Sequence, residues 1–320
     1  MGNPLTLAAI RKAQERLGNK IIHTPLLAAC QLESKLGCKV FLKPEMFQIT
    51  GSFKARGALN KTLQLGPDEL AKGIISSSSG NHAQALAYAG KLLHVKTTIV
   101  IPSDAPKIKI ERTRAMGAEV LIFEGKQAPR WAYVHELIQK HGFALVHAFD
   151  DPAVMAGQGT IALEVLEDLP DVDTVVVPLG GGGLLSGISV GIKECLPHVR
   201  VIGVEPALAP KYHVSRQNGK PTHVPAGDSI ADGVKAEMAC DFAHSIFQKY
   251  VDEIAVVEEQ DIVEGLRLLA EQAHIFAEGA AAVGIAAVLS GKIKVLPDEK
   301  VCFILSGGNW DLQRFFSIVH

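Results

Sequence analysis

Between residues 73 and 147, short runs rich in Val and Ile alternate with longer amphipathic segments, and no other feature of the chain narrows its fold so far. The pattern predicts strands over 73–77, 96–101, 119–123 and 144–147, with helices from Asn81, from Lys107 and over 129–140 between them. Apolar strands joined by helical crossovers pair in parallel and need cover on both faces. The fold class is therefore α/β, with parallel sheets flanked by helices. A second set of the same kind has strands over 174–178, 200–204, 254–257 and 300–305, with helices over 184–195, 259–273 and 280–289. An irregular stretch over 206–227, containing Pro and Gly, interrupts it. Ahead of both sets come a helix over 6–17 capped by Thr6 and ended by Gly18, and a strand over 38–43. A helix follows that begins near Lys54, with Ser52 as its expected N-cap. Only 15 residues follow Leu305, so no C-terminal regulatory domain is expected.

The 320 residues are 48% hydrophobic and 21% charged with a net charge of −2, which excludes disorder and gives no electrostatic footprint for nucleic acid or an anionic membrane. No apolar window is long enough to span a bilayer. The partner this leaves is a small molecule. The five cysteines are widely spaced with no CxxC pair, so they are expected to be buried free thiols in a reducing compartment, the cytoplasm by default.

Chemistry concentrates in four strand-to-helix turns. Lys54 sits just inside a helix start, where unpaired N–H groups disfavour its charged form and leave an amine able to form a Schiff base. Gly180, Gly181, Gly182 and Gly183 stand between a strand and the helix that opens near Leu184, an arrangement in which bare N–H groups cradle a phosphate; a flexible turn is the plain alternative. The GxGxxG and GxxxxGK[ST] spacings are absent, which favours a single phosphate. Ser78, Ser79, Asn81 and His82 lie at the carboxyl end of a strand, where their hydroxyls, amide and N–H groups suit a carboxylate. Ser306-Gly307-Gly308-Asn309 follows another apolar strand in the same way. The HExxH and GxSxG motifs and His/Cys clusters at metal spacing are all missing, so no metal site is expected. A Schiff-base lysine, a phosphate cradle, a carboxylate loop and a serine-ended strand together call for pyridoxal 5'-phosphate.

The sequence also resembles the fold-type II pyridoxal-phosphate enzymes, specifically the threonine/serine dehydratase and serine racemase group. The likeness runs from about Thr24 to Asp311 through HTPL at 23–26, TGSFKARGALN at 50–60, SSGNHAQALAYA at 78–89, AGQGTIALEVL at 156–166, PLGGGG at 178–183, IADGVK at 230–235 and SGGNWDL at 306–312. It implies two lobes of the tryptophan synthase β type: a large cofactor-binding domain of residues 1–50 and 147–320, and a small domain of residues 51–146. It further implies that Lys54 carries the cofactor, Phe53 packs on its ring and Asn81 bonds the ring hydroxyl. Gly180 to Gly183, with Leu184, would take the phosphate, and Ser306 would face the ring nitrogen. Ser78, Asn81 and His82 would hold the substrate carboxylate and Phe149 would wall the pocket. A homodimer or homotetramer is implied as well.

Two activities of that group remain open. Serine racemases carry a serine before the Gly-Asn pair as a second acid-base group opposite the lysine, and this chain has Ser79 there. Their divalent cation rests on a Glu and an Asp six residues apart, whereas Glu205 is followed here by Lys211; their nucleotide-contacting lysine is Ile49; and His147-Ala148-Phe149-Asp150 resembles the dehydratases. The expected function is an ammonia-lyase acting on L-serine or L-threonine with possible side racemisation. The alternatives are a serine racemase using Lys54 and Ser79, and, more remotely, a non-catalytic amino-acid-binding homologue.

Overall fold

Among the described residues the strands, most of them rich in Val and Ile, are β1 (Leu27–Ala28), β2 (Lys39–Pro44), β3 (Ile74–Ser77), β4 (Thr97–Pro102), β5 (Glu119–Phe123), β6 (Ala144–Leu145), β7 (Thr174–Pro178), β8 (Arg200–Pro206), β9 (Glu253–Val257) and β10 (Lys300–Leu305). The computed structural model describes residues 4–103, 105, 107–124 and 127–320. Four strands make a parallel sheet in the order β5-β4-β3-β6, and six make a second sheet in the order β1-β2-β10-β7-β8-β9, parallel except for β1 against β2. Both orders reverse direction once. The chain winds outward from β3 through β4 to β5 and returns to place β6 on the other side of β3; in the larger sheet it winds from β7 to β9 and returns to place β10 beside β7. Such switch points leave a crevice at the carboxyl ends of the strands.

Each sheet is buried on both faces, as its continuous apolar runs require. In the larger one, Val176, Ile202 and Phe303 pack toward the Gly279–Leu289 helix, while Val175, Val177, Val201 and Ile304 pack toward the Gly183–Cys195 helix. Thr6 caps the opening helix, its hydroxyl accepting from the Ala9 N–H at 3.2 Å. Among the described residues no helix is long and apolar enough to cross a membrane.

Several expectations need correction. The strand expected over 144–147 stops at Leu145, because the Val146 carbonyl turns to His82 and the His147 ring accepts the Asp150 N–H at 2.8 Å. The Pro152–Asp168 helix was not expected, since its small and apolar residues lie on all sides and give no amphipathic stripe. Asp151 caps it, and a side chain at Gly157 would come within 2.6 Å of the Arg56 carbonyl, so this glycine lets the helix pass close to the one carrying Lys54. The thiols are not uniformly buried: Cys38 and Cys302 are, Cys195 and Cys240 are partly so, and Cys30 at a helix start is exposed.

One ionic network lies in the interior. Arg56 Nε meets Glu45 at 2.7 Å and its Nη2 meets Glu164 at 2.9 Å, while Lys43 Nζ lies 2.7 Å from Glu164. All four side chains are almost wholly buried, so the network fixes the Lys54 helix to β2 and to the Pro152–Asp168 helix.

Candidate active site

Lys54 is the first residue of the Lys54–Thr62 helix. Ser52 does not cap it: the residue before the helix is Phe53, which makes no side-chain cap, and Ser52 instead forms an antiparallel bridge with Gly307. Tertiary pairing overrides the local cap preference. The Phe53 N–H donates to the Ser306 carbonyl at 3.1 Å and the Gly308 N–H to the Gly51 carbonyl at 3.0 Å. The segment leading into Lys54 is thereby bonded to the turn that follows β10.

The Lys54 ammonium donates to the Ala148 carbonyl at 2.7 Å and lies 5.0 Å from the centroid of the Phe53 ring. Burial lowers its pKa from 10.5 to about 8, against a smaller opposing pull from the Glu278 carboxylate. The amine is thus partly neutral near physiological pH. Ser306 is buried, and its Oγ has no hydrogen-bond partner among the described residues.

Across the cleft, β3 ends in the loop that carries the serines. Ser78 Oγ accepts from the Gly80 N–H at 3.2 Å. Ser79 is half-buried, and no side-chain hydrogen bond is made by it among the described residues. Asn81 opens the Asn81–Leu93 helix; its Nδ2 donates to both oxygens of Glu278, at 2.9 and 3.1 Å, and its Oδ1 accepts from Asn309 Nδ2 at 2.9 Å. His82 follows Asn81 with its ring turned into the core. Its ring is buried, with Nε2 at 2.9 Å from the Val146 carbonyl and 3.1 Å from Ser76 Oγ, and burial pushes its pKa down to about 3. The side chain is a neutral core group, and only its backbone N–H remains open to a carboxylate.

The four-glycine turn follows β7 and leads into the Gly183–Cys195 helix, with Leu184 buried in the first turn. Gly182 has φ of +96°, a region only glycine enters freely. A Cβ at Gly181 would fall 2.3 Å from the Phe149 ring, so Phe149 packs directly on this turn. Its edge also meets the His147 ring, 4.7 Å between centroids. Two further residues were not singled out from sequence. Glu278, buried at the start of an apolar helix, has its pKa raised by burial; an acid immediately before the run GAAAVGIAAVL was the available signal. Tyr212 donates from its hydroxyl to the Gly181 carbonyl at 3.0 Å, and nothing local marked it. Among the described residues no group of three or more His, Cys, Asp or Glu could hold a metal ion.

The pattern of the family described as pyridoxal-phosphate dependent enzyme matches residues 18–307. The chain belongs to this family. Among curated relatives of this pyridoxal-phosphate dependent enzyme, the L-threonine ammonia-lyase of Thermotoga maritima is 42% identical over 316 residues, covering 99% of this chain and 78% of that protein. The L-threo-3-hydroxyaspartate ammonia-lyase of Saccharomyces cerevisiae is 38% identical over 314 residues, covering 98% and 96%. Among solved structures, maize serine racemase superposes with a TM-score of 0.94 at 33% identity, covering 98% of this chain and 97% of the other. The residues present suit the family's cofactor: a lysine of lowered pKa, an unpartnered buried hydroxyl at Ser306, and a turn in which side chains are sterically forbidden.

Proposed function

We propose that the protein converts L-serine or L-threonine into a 2-oxo acid and ammonia by α,β-elimination. The observation that carries this reading is the buried Lys54 amine, lowered to about 8 and hydrogen-bonded to Ala148. The ammonia-lyases at 38% and 42% identity support it. In this reading Lys54 holds the cofactor, Gly180 to Gly183 with Leu184 its phosphate, Phe53 its ring face, Asn81 its ring hydroxyl and Ser306 its ring nitrogen. Pyridoxal phosphate, when bound, supplies an electron sink for the bonds at the substrate's α-carbon.

The chain's own groups do the rest. Ser78, the Asn81 amide and the N–H groups at the start of the Asn81–Leu93 helix hold the carboxylate, and that helix end favours an anion. Once the substrate's amine displaces it from the cofactor, the free Lys54 amine takes the α-proton; the β-carbon–oxygen bond breaks, a proton is returned to the departing hydroxyl so that it leaves as water, and water then hydrolyses the resulting enamine to the 2-oxo acid and ammonia. Ser306 is uncharged and does not hold a proton on the ring nitrogen as a carboxylate would, which favours prompt loss of the β-group. Phe149 limits the pocket beside the substrate's methyl or hydrogen. The same reading divides the chain into a large lobe, 1–50 and 147–320, and a small lobe, 51–146, in a homo-oligomer that sedimentation of the purified protein tests.

One observation favours a second reading. Ser79 keeps a half-buried hydroxyl without a hydrogen-bond partner among the described residues, as a base for the opposite face of the α-carbon would. Incubation of the cofactor-loaded protein with L-serine, L-threonine and L-threo-3-hydroxyaspartate, followed by assay of 2-oxo acid and D-amino acid, separates the two. Elimination is the expected main activity. Ser79→Ala should abolish racemisation and keep most elimination; equal loss of both rejects Ser79 as second base, and absence of both products rejects both readings.

A further inference from the structure

Behind the glycine turn lies a buried ion pair separate from the Arg56 network. Glu205 near the end of β8 and Lys211 at the start of the Lys211–Asn218 helix are both fully buried, with Nζ 2.8 Å from Oε1. The carboxylate also accepts from the backbone N–H groups of Tyr212, at 3.1 Å, and His213, at 2.9 Å. The ammonium reaches the Val234 carbonyl at 3.5 Å and lies 5.4 Å from the Tyr212 ring centroid.

Both neighbours of that ammonium form the back wall of the turn. Tyr212 Oη donates to the Gly181 carbonyl at 3.0 Å and accepts from the Cys240 N–H at 3.1 Å. A Cβ at Gly182 would meet Tyr212 Oη at 2.6 Å. A Cβ at Gly180 would meet the Gly233 carbonyl at 3.0 Å and Val234 Cα at 3.1 Å. A buried ion pair is weak evidence for stability, because well-packed apolar residues do as well; its directional bonds can instead fix one arrangement. Here the bonds converge on the two segments against which Gly180, Gly181 and Gly182 rest.

We propose that Glu205 and Lys211 are positioning residues for the phosphate turn: an ammonium carried by the chain sets Tyr212 and Val234, and through them the aim of the turn's N–H groups. This rests on the reading above that Gly180 to Gly183 take the cofactor's phosphate. The pair touches no reacting atom.

The test uses the full-length protein stripped of cofactor, titrated with pyridoxal phosphate and, separately, with pyridoxal, which lacks the phosphate. Lys211→Met should weaken pyridoxal phosphate at least tenfold while leaving pyridoxal unchanged. Because that variant strands a buried carboxylate, the double variant Glu205→Gln with Lys211→Met is measured beside it; having no buried charge it should fold, and it should show the same selective loss. Wild-type affinity for pyridoxal phosphate in the folded double variant overturns the proposal, as does an equal loss for both ligands. Gly181→Ala distinguishes the two readings. If it weakens pyridoxal phosphate and the double variant does not, the positioning role alone fails; if it too leaves the affinity unchanged, the phosphate turn fails and the positioning role with it.

Discussion

Replacing Lys54 by Met should stabilise the cofactor-free protein near neutral pH while abolishing its chemistry, because the amine is held where its charged form is disfavoured. Burial lowers the folded-state pKa from 10.5 to about 8. The unfolded chain then binds more protons than the folded one between those values, so wild-type stability rises with pH across that window and carries its full penalty below it. At about 1.36 kcal/mol per pKa unit the penalty is about 3 kcal/mol at pH 7, about 2 at pH 9 and close to zero at pH 11. Met removes the charge but also the hydrogen bond to the Ala148 carbonyl, worth about 1 kcal/mol. Lys54→Met is therefore expected to be more stable than wild type by about 2 kcal/mol at pH 7, equal near pH 10 and slightly less stable above it. Urea unfolding of both apoproteins from pH 6.5 to 11 measures the difference directly. A difference that does not change with pH, or a variant that is less stable at pH 7, would refute a buried amine of lowered pKa.

The interior ionic network gives a contrasting expectation: Arg56→Met strands the Glu45 carboxylate and leaves Glu164 with Lys43 alone, and should lower unfolding stability by about 3–5 kcal/mol, with a loss under about 1 kcal/mol counting against the network. Arg56→Lys should recover less than half, since an ammonium cannot bridge both carboxylates as the planar fork does. Burial raises the Glu278 pKa above its unfolded 4.5, so its favourable contribution is complete below that pH and is lost as pH rises through the folded value. Glu278→Gln, which still accepts from Asn81, should match wild-type stability near pH 4 and exceed it at pH 8 in the apoprotein; a gap that stays flat across that range would remove burial as the cause.

What sequence made legible follows a physical division. Strands β3, β4, β7 and β10 were visible because continuous Val and Ile runs buried on both faces leave no other reading, and their turns were visible because glycines and hydroxyls cluster where a ligand must approach backbone. The Pro152–Asp168 helix was hidden for a related reason, since apolar and small residues on every side erase the helical period. Ser52 and His82 differ: the Ser52 hydroxyl suits a cap locally, but its backbone is bridged to distant Gly307, whereas the His82 ring is held by the distant Val146 carbonyl, which leaves the backbone N–H as the group for the expected carboxylate contact. Glu278 and Tyr212 have their roles only through contacts to Asn81 and Gly181, which no local pattern reports.

Those distant contacts also show how the site is held. Lys54 and Ser306 form one unit, because the segment before the lysine is bonded by backbone to the turn after β10, and that turn is the end of a central strand of the six-stranded sheet. Ser78, Ser79 and Asn81 belong to the other sheet, at the end of β3. The Asn81 side chain joins the two units through Glu278 and Asn309. Breaking these bonds opens two contacts between polar side chains, each worth about 1 kcal/mol, and leaves the backbone bond from Phe53 to Ser306 intact. In the reading proposed above, Lys54 and Ser306 would thus stay in register while the loop proposed to take the carboxylate approached or withdrew, which is what a site needs if it must admit a polar substrate and then exclude water from a proton transfer.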